Sequence, residues 1–231
     1  MQARLTHGLC YNDQAETTLG DASLIAILDY GAGNVRNVLR ALIHLGYEAE
    51  ITADHAKVNK AHAVVLPGVG AAGDTVKGLK ERGLDELVLR TIEGDRPFMG
   101  VCVGLQVLFD TTEEGGTQPC LGVLPGTVER FPAGKLKVPH MGWNQVWQRS
   151  EGPYFRGIPD GAHFYFVHSF YPKPALRSLV AAECTYGEDF CCAVARGNLF
   201  ATQFHPEKSG VNDLKVYENF FQATIGNHSR N

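Results

Sequence analysis

The chain has 231 residues, 44% of them hydrophobic and 20% charged, with a formal net charge of −4. A chain this long and this apolar buries a substantial core, which excludes disorder as its main theme. The slightly acidic balance excludes the basic stripe that binding to nucleic acid or an anionic membrane needs.

No window reaches the roughly 18 consecutive apolar residues of a spanning helix. Met1–Ser23 is polar and aperiodic, without the basic end and apolar block of a signal peptide, and reads as a flexible N-terminal extension. The six cysteines include the adjacent pair Cys191-Cys192 and no CxxC, so neither a disulfide framework nor a zinc knuckle is indicated. The expectation is a soluble, cytoplasmic protein whose residues 24–231 form one domain.

Leu24–Leu28 is a continuous apolar run of strand length, as in a strand buried on both faces. Asp29–Asn34 supplies a turn. Val35, Val38, Leu39, Leu42 and Ile43 then mark one face of an amphipathic helix ended by Gly46. The pattern repeats with strand Ala63–Leu66, turn Pro67–Gly70 and helices over Thr75–Arg82 and Leu84–Ile92. Strand Pro97–Val101 follows, and Gly104–Phe109 reads as the start of another helix. Such alternation implies βαβ units and a parallel sheet covered on both faces.

After Gly115-Gly116 the texture changes. Val138–Trp147, His163–Phe170, Leu179–Cys184, Cys191–Ala195 and Leu199–Phe204 are strand-like. A closing helix, Leu214–Ala223, puts Leu214, Tyr217, Phe220 and Phe221 on one side. The fold class is therefore α/β, a parallel core with a largely antiparallel second half folded onto it.

Gly100-Val101-Cys102-Val103-Gly104 has the form G-x-C-x-G between a strand and a helical pattern, the cysteine version of a nucleophile elbow. Its glycines permit a sharp turn that presents the sulfur at the carboxyl edge of the sheet, where ligand crevices lie. A helix N-terminus there favours the thiolate, the nucleophilic form. A nucleophile needs a base, and the base an orienter. Among nine histidines, His205 in His205-Pro206-Glu207 carries a positioned carboxylate. In extended chain, residues i and i+2 point to the same side, so Glu207 reaches the imidazole. Oxyanion donors are expected from the N–H of Val103 and, in the Pro67-Gly68-Val69-Gly70 turn, of Val69 or Gly70.

With these residues assembled, G-V-C-V-G-L-Q (100–106) and H-P-E (205–207) resemble the class I glutamine amidotransferase family. D-Y-G-A-G-N (29–34), P-G-V-G (67–70), P-H-M-G-W-N (139–144), Y-F-V-H-S-F (165–170) and Q-F-H-P-E-K-S (203–209) further resemble its glutaminase subunits that serve imidazole glycerol phosphate synthase in histidine biosynthesis. The resemblance runs from about Leu24 to Ile225. It implies a flavodoxin-like parallel sheet flanked by helices with an additional, mostly antiparallel sheet region. It also implies hydrolysis of glutamine to glutamate and ammonia without a cofactor or metal. The ammonia would pass to a (β/α)₈-barrel cyclase in a heterodimer, which forms imidazole glycerol phosphate and an aminoimidazole carboxamide ribotide.

By motif, Cys102 is the nucleophile, His205 the general base and acid, and Glu207 its orienter. Gln106 matches the glutamine that holds the substrate head group. Gly70 and the backbone of Ser169 and Phe170 match further substrate contacts, and Glu114 is a candidate for the substrate ammonium. Asn34, Trp143 and Lys208 lie in motifs that frame the expected partner face. Two departures from the family pattern, Ala72 for a frequent phenylalanine and Val103 for a frequent leucine, change side chains around backbone donors and not the donors themselves.

Cys184, Cys191 and Cys192 are expected in the core. His140, His163 and His168 match no helical zinc spacing. Two other readings remain at this level: a glutaminase of the same class feeding a different synthase, as in pyridoxal phosphate or aminobenzoate formation, and a flavodoxin-like module cradling a phosphate on Gly31–Asn34. A catalytically silent scaffold is disfavoured, since all three triad residue types are present.

Overall fold

A computed structural model describes residues 24–134, 136–208 and 210–226; the extension expected over residues 1–23 lies outside the described residues. The first half runs β1 (Ile25–Leu28), α1 (Val35–His44), β2 (Ala49–Thr52), α2 (His55–Lys60), β3 (Ala63–Gly68), α3 (Ala72–Glu81), α4 (Leu84–Glu93), β4 (Phe98–Cys102) and α5 (Val103–Gln106). The second half runs β5 (Phe109–Thr112), β6 (Gln118–Pro119), β7 (Leu124–Arg130), β8 (His140–Gln148), β9 (Ala162–His168), β10 (Phe170–Pro174), β11 (Val180–Thr185), β12 (Asp189–Arg196), β13 (Leu199–Thr202) and α6 (Val211–Ile225).

Nine strands form one sheet in the order β2-β1-β3-β4-β13-β12-β11-β8-β9. The first five are parallel, and their central members β1, β3, β4 and β13 are buried along their whole length. Those are the continuous apolar runs of a strand covered on both faces. From β12 onward the pairing is antiparallel. The second half thus continues the same sheet from β13, and what folds over it is a smaller sheet, β10-β7-β5-β6.

Three sequence expectations change. Gly104–Phe109 is not the start of a long helix: α5 has four residues, because the backbone N–H groups of Leu121 and Val123 bond the carbonyls of Val107 and Leu108 and draw the chain into the small sheet. His163–Phe170 is not one strand; it breaks at Ser169, where the chain leaves the large sheet and enters the small one as β10. Ile43 is 58% exposed, since at 3.6 residues per turn it lies about 140° around the helix from the buried Val38. The remaining elements fall within a few residues of the expected ranges, and α6 buries Tyr217, Phe220 and Phe221 together.

No helix among the described residues is long and apolar enough to cross a membrane. Cys184, Cys191 and Cys192 are buried, and burial raises the Cys184 and Cys191 thiols to about 12, which makes them packing residues.

Candidate active site

The carboxyl ends of β3, β4 and β13 converge on one cavity of about 250 Å³. Its lining includes Val69, Gly70, Cys102, Val103, Gln106 and His205. A larger cavity of about 600 Å³, lined by Phe131, Leu136 and Tyr186 among others, offers no nucleophile; the chemistry lies in the smaller one.

Cys102 ends β4 with φ 57° and ψ −112°, a backbone conformation that is costly for a residue with a side chain and concentrates at functional sites. Close backbone packing holds it there. A Cβ on Gly104 would stand 2.0 Å from the Leu66 carbonyl oxygen, one on Gly68 2.5 Å from the Gly104 nitrogen, and one on Gly100 2.7 Å from the Gly104 carbonyl oxygen. The elbow glycines thus serve close approach of β3, β4 and α5. Val103 opens α5, and first-turn N–H groups have no intrahelical acceptor. Since α5 is a single turn, backbone N–H groups and not a macrodipole are what it brings to the site.

His205 follows β13 and is 1% exposed. Its backbone N–H bonds the Tyr165 carbonyl on β9 at 3.1 Å, and its Nδ1 lies 2.8 Å from Glu207 Oε1. The expected extended geometry is not what joins them. Residues Pro206–Lys208 form a 3-10 turn, closed by Lys208 N–H to the His205 carbonyl at 3.0 Å, and this turn folds the carboxylate back onto the ring. Burial opposes charging of His205, but the Cys102 and Glu207 side chains beside it outweigh burial and raise its pKa to about 10. The Nε2 atom of His205 is buried and forms no hydrogen bond of good geometry, although the Cys102 side chain is the first of the neighbours that favour the ring's charged form.

Sequence reasoning missed Gln203. Its Nε2 donates to Cys102 Sγ at 3.6 Å and its Oε1 accepts from Gln106 Nε2 at 2.9 Å. No alternation signal marks it, because β13 ends at Thr202 and the chain bends at Gln203 and Phe204 before His205. Pro139, Val167 and His168 also line the cavity without having been anticipated.

Glu114, Ser169 and Phe170 also line it. Glu114 Oε2 accepts the Ala72 N–H at 2.7 Å, and Gln106 Nε2 donates to the Phe170 carbonyl at 2.9 Å. Burial pushes the Tyr30 phenol up, against the Thr75 hydroxyl and Val69 backbone that face it. Asn34, expected at a partner face, donates from Nδ2 to Glu207 Oε1 at 3.2 Å. Trp143 is 51% exposed, its ring 6.0 Å from that of Tyr165, over which the Lys208 ammonium sits at 5.1 Å. Among the described residues, no group of three or more His, Cys, Asp or Glu side chains stands together as a metal site.

A strained cysteine on a strand-to-helix turn, beside a carboxylate-bound imidazole and a row of carboxamides, has the residue types that acyl transfer through a thiol requires. The family model "Glutamine amidotransferase class-I" matches residues 26–224, and the chain belongs to the class I glutamine amidotransferase family. It is 54% identical over 203 residues, 88% of this chain and 98% of the other, to the imidazole glycerol phosphate synthase subunit HisH of Dehalococcoides mccartyi. The same subunit of Moorella thermoacetica is 50% identical over 196 residues, 85% of this chain and 93% of the other. Within the family the chain therefore sits among the HisH subunits. A crystal structure of a glutamine amidotransferase shares the fold, with a TM-score of 0.69 at 24% identity over 87% of this chain and 98% of that one.

Proposed function

We propose that the chain is the glutaminase subunit of an imidazole glycerol phosphate synthase, that Cys102, His205 and Glu207 are its triad, and that its ammonia passes to a (β/α)₈-barrel cyclase. Cys102 passes its thiol proton to His205 and its Sγ attacks the side-chain amide carbon of glutamine, and the Val69 and Val103 N–H groups receive the oxyanion. As the carbon–nitrogen bond breaks, His205 gives a proton to the departing ammonia, a step suited to a ring whose charged form is favoured. The neutral imidazole then takes a proton from water, whose oxygen attacks the thioester carbon; the carbon–sulfur bond breaks and glutamate leaves. Gln106, Gly70, Glu114, Ser169 and Phe170 hold the amino-acid head group.

The observation that carries this reading is the buried His205–Glu207 pair at 2.8 Å, charge-coupled to a cysteine held at positive φ. Loss of one oxyanion donor costs about 2.7–4 kcal/mol, so a partner that reorients the Val69 peptide changes the rate by 10²–10³. The exposed Trp143, with Lys208 over Tyr165, supports a partner face beside the site mouth.

Ammonia release from glutamine, measured with the purified cyclase and its ligand present and absent, tests both parts. Release that vanishes in Cys102→Ala and rises with cyclase is expected. Release that survives Cys102→Ala removes the triad assignment, and equal rates with and without cyclase remove the gating.

A further inference from the structure

Two buried histidines take no part in the chemistry above: His140 at the start of β8 and His168 at the end of β9. Their rings meet at 2.9 Å, His140 Nδ1 to His168 Nε2. His168 Nδ1 lies 2.8 Å from the Phe170 carbonyl oxygen. Asn144 Nδ2 lies 3.2 Å from His140 Nε2 and also donates to the Thr185 carbonyl at 2.9 Å.

Only one arrangement of protons satisfies every link. A carbonyl oxygen accepts, so His168 carries its proton on Nδ1 and its Nε2 is an acceptor. His140 must then donate from Nδ1, which leaves its Nε2 to accept from the Asn144 amide. A second proton on His168 would set two N–H groups against each other. Burial supports this neutrality, holding His140 down to about 4 and, with smaller help from the neighbouring His140 and His205 rings, His168 to about 3. Stacking of His140 between Phe166 and Tyr186, at 4.9 and 4.1 Å, fixes its plane.

The chain ends at the joint where β9 leaves the large sheet and β10 enters the small one. Ser169 is that joint, and with Phe170 it lines the cavity read above as the glutamine pocket. The Phe170 carbonyl takes His168 from one side and Gln106 from the other, and Gln106 continues through Gln203 to Cys102 Sγ.

We propose that His140 and His168 are positioning residues of the glutamine pocket, an ordered pair of neutral imidazoles that holds the Ser169–Phe170 wall against Gln106 so that substrate affinity depends on them. The inference rests on the glutaminase reading. The pair touches no reacting atom; its loss weakens the ground and transition states alike, which raises KM and spares kcat.

Three measurements on the full chain test it, the kinetic ones with the cyclase and its ligand present. Nitrogen-15 spectra of the histidines at pH 7 should show both rings neutral with the proton on Nδ1; an Nε2–H or charged form of either ring overturns the proposal. His140→Phe keeps the ring stack and removes the donor, whereas His140→Asn keeps an amide N–H near the Nδ1 position. His140→Phe should raise KM for glutamine about 10-fold, the scale of one lost buried hydrogen bond, with kcat nearly unchanged, and His140→Asn should restore most of the loss.

Alkylation of Cys102 by a glutamine chloroketone should slow in His140→Phe, while alkylation by iodoacetamide, which needs no head-group wall, should not. An unchanged KM, or equal slowing with both reagents, overturns the proposal. A wild-type chain inert to glutamine and to the chloroketone with cyclase and its ligand present, yet alkylated by iodoacetamide, overturns the glutaminase reading itself.

Discussion

Around Cys102 the backbone is itself the packing surface, with Gly68, Gly100 and Gly104 each lying where a Cβ would come within 2.7 Å of a neighbouring strand or turn. Across the pocket the wall at Ser169–Phe170 is held by side chains, Gln106 on one side and His168 backed by His140 on the other. The first construction has no tolerance: any added atom separates β3 from α5. The second is adjustable, since carboxamides and imidazoles shift by tenths of an ångström without losing partners. A nucleophile that must sit at a strained φ is thus carried by the rigid part, and the substrate wall by the compliant one.

Glu207 belongs to neither, bonding His205 and Asn34 instead, and its replacement is expected to have the largest effect. Glu207→Gln should lower ammonia release by about 10²–10⁴-fold, as loss of a triad orienter does. It should also change the pH dependence of folding. The His205 pKa is raised from 6.5 to about 10, so the stability its charge contributes is complete below pH 6.5 and is lost as pH climbs toward 10. In Glu207→Gln that alkaline decline should shrink, which urea unfolding at pH 7 and pH 9.5 measures; an unchanged decline would mean that the carboxylate does not raise the ring.

Next is the glycine floor. Gly104→Ala places a Cβ 2.0 Å from the Leu66 oxygen and should cost about 3 kcal/mol or more in unfolding free energy along with nearly all activity. Wild-type stability would show that β3 and α5 can part. Gly70→Ala sharpens the contrast: nothing stands within 4 Å, but φ is +87°, so the expected loss is only the left-handed strain of about 1–2 kcal/mol. The smallest effect belongs to the outer surface. Trp143→Ala and Lys208→Ala should each weaken cyclase binding about 10-fold, read by titration calorimetry, and unchanged affinity would remove that residue from the interface.

The floor was legible from local residue pattern, whereas the wall residues Gln106, Ser169 and Phe170 were reached only through the family resemblance and the histidines behind them not at all, for a physical reason. Apolar runs such as Ile25–Leu28 and the G-x-C-x-G spacing are local signals, because a doubly covered strand and a glycine-packed turn each impose residue types on a short segment. Edge and small-sheet elements carry no such mark. β2 is half-buried Ala-Glu-Ile-Thr, and β5 and β7 owe their pairing to each other across the chain. The six-residue α2 did leave a trace in its cap, Asp54, whose carboxylate accepts the Ala56 and Lys57 N–H groups. Gln203 sits in a bend after β13, and His140 meeting His168 depends on β8 pairing with β9 in the register His140↔His168, which only the folded chain specifies. The His205–Glu207 pair was anticipated through the wrong geometry, since a 3-10 turn and not a strand brings the groups together.

Rapid acid quench of the wild-type chain with glutamine and cyclase, followed by mass spectrometry of its cysteine peptides, tests most directly that the sulfur at position 102 carries the acyl group. A γ-glutamyl thioester on the peptide containing Cys102, accumulating before steady state and lost in His205→Ala, is the predicted result. Turnover with no adduct on that peptide, or with the adduct on another cysteine, would contradict it.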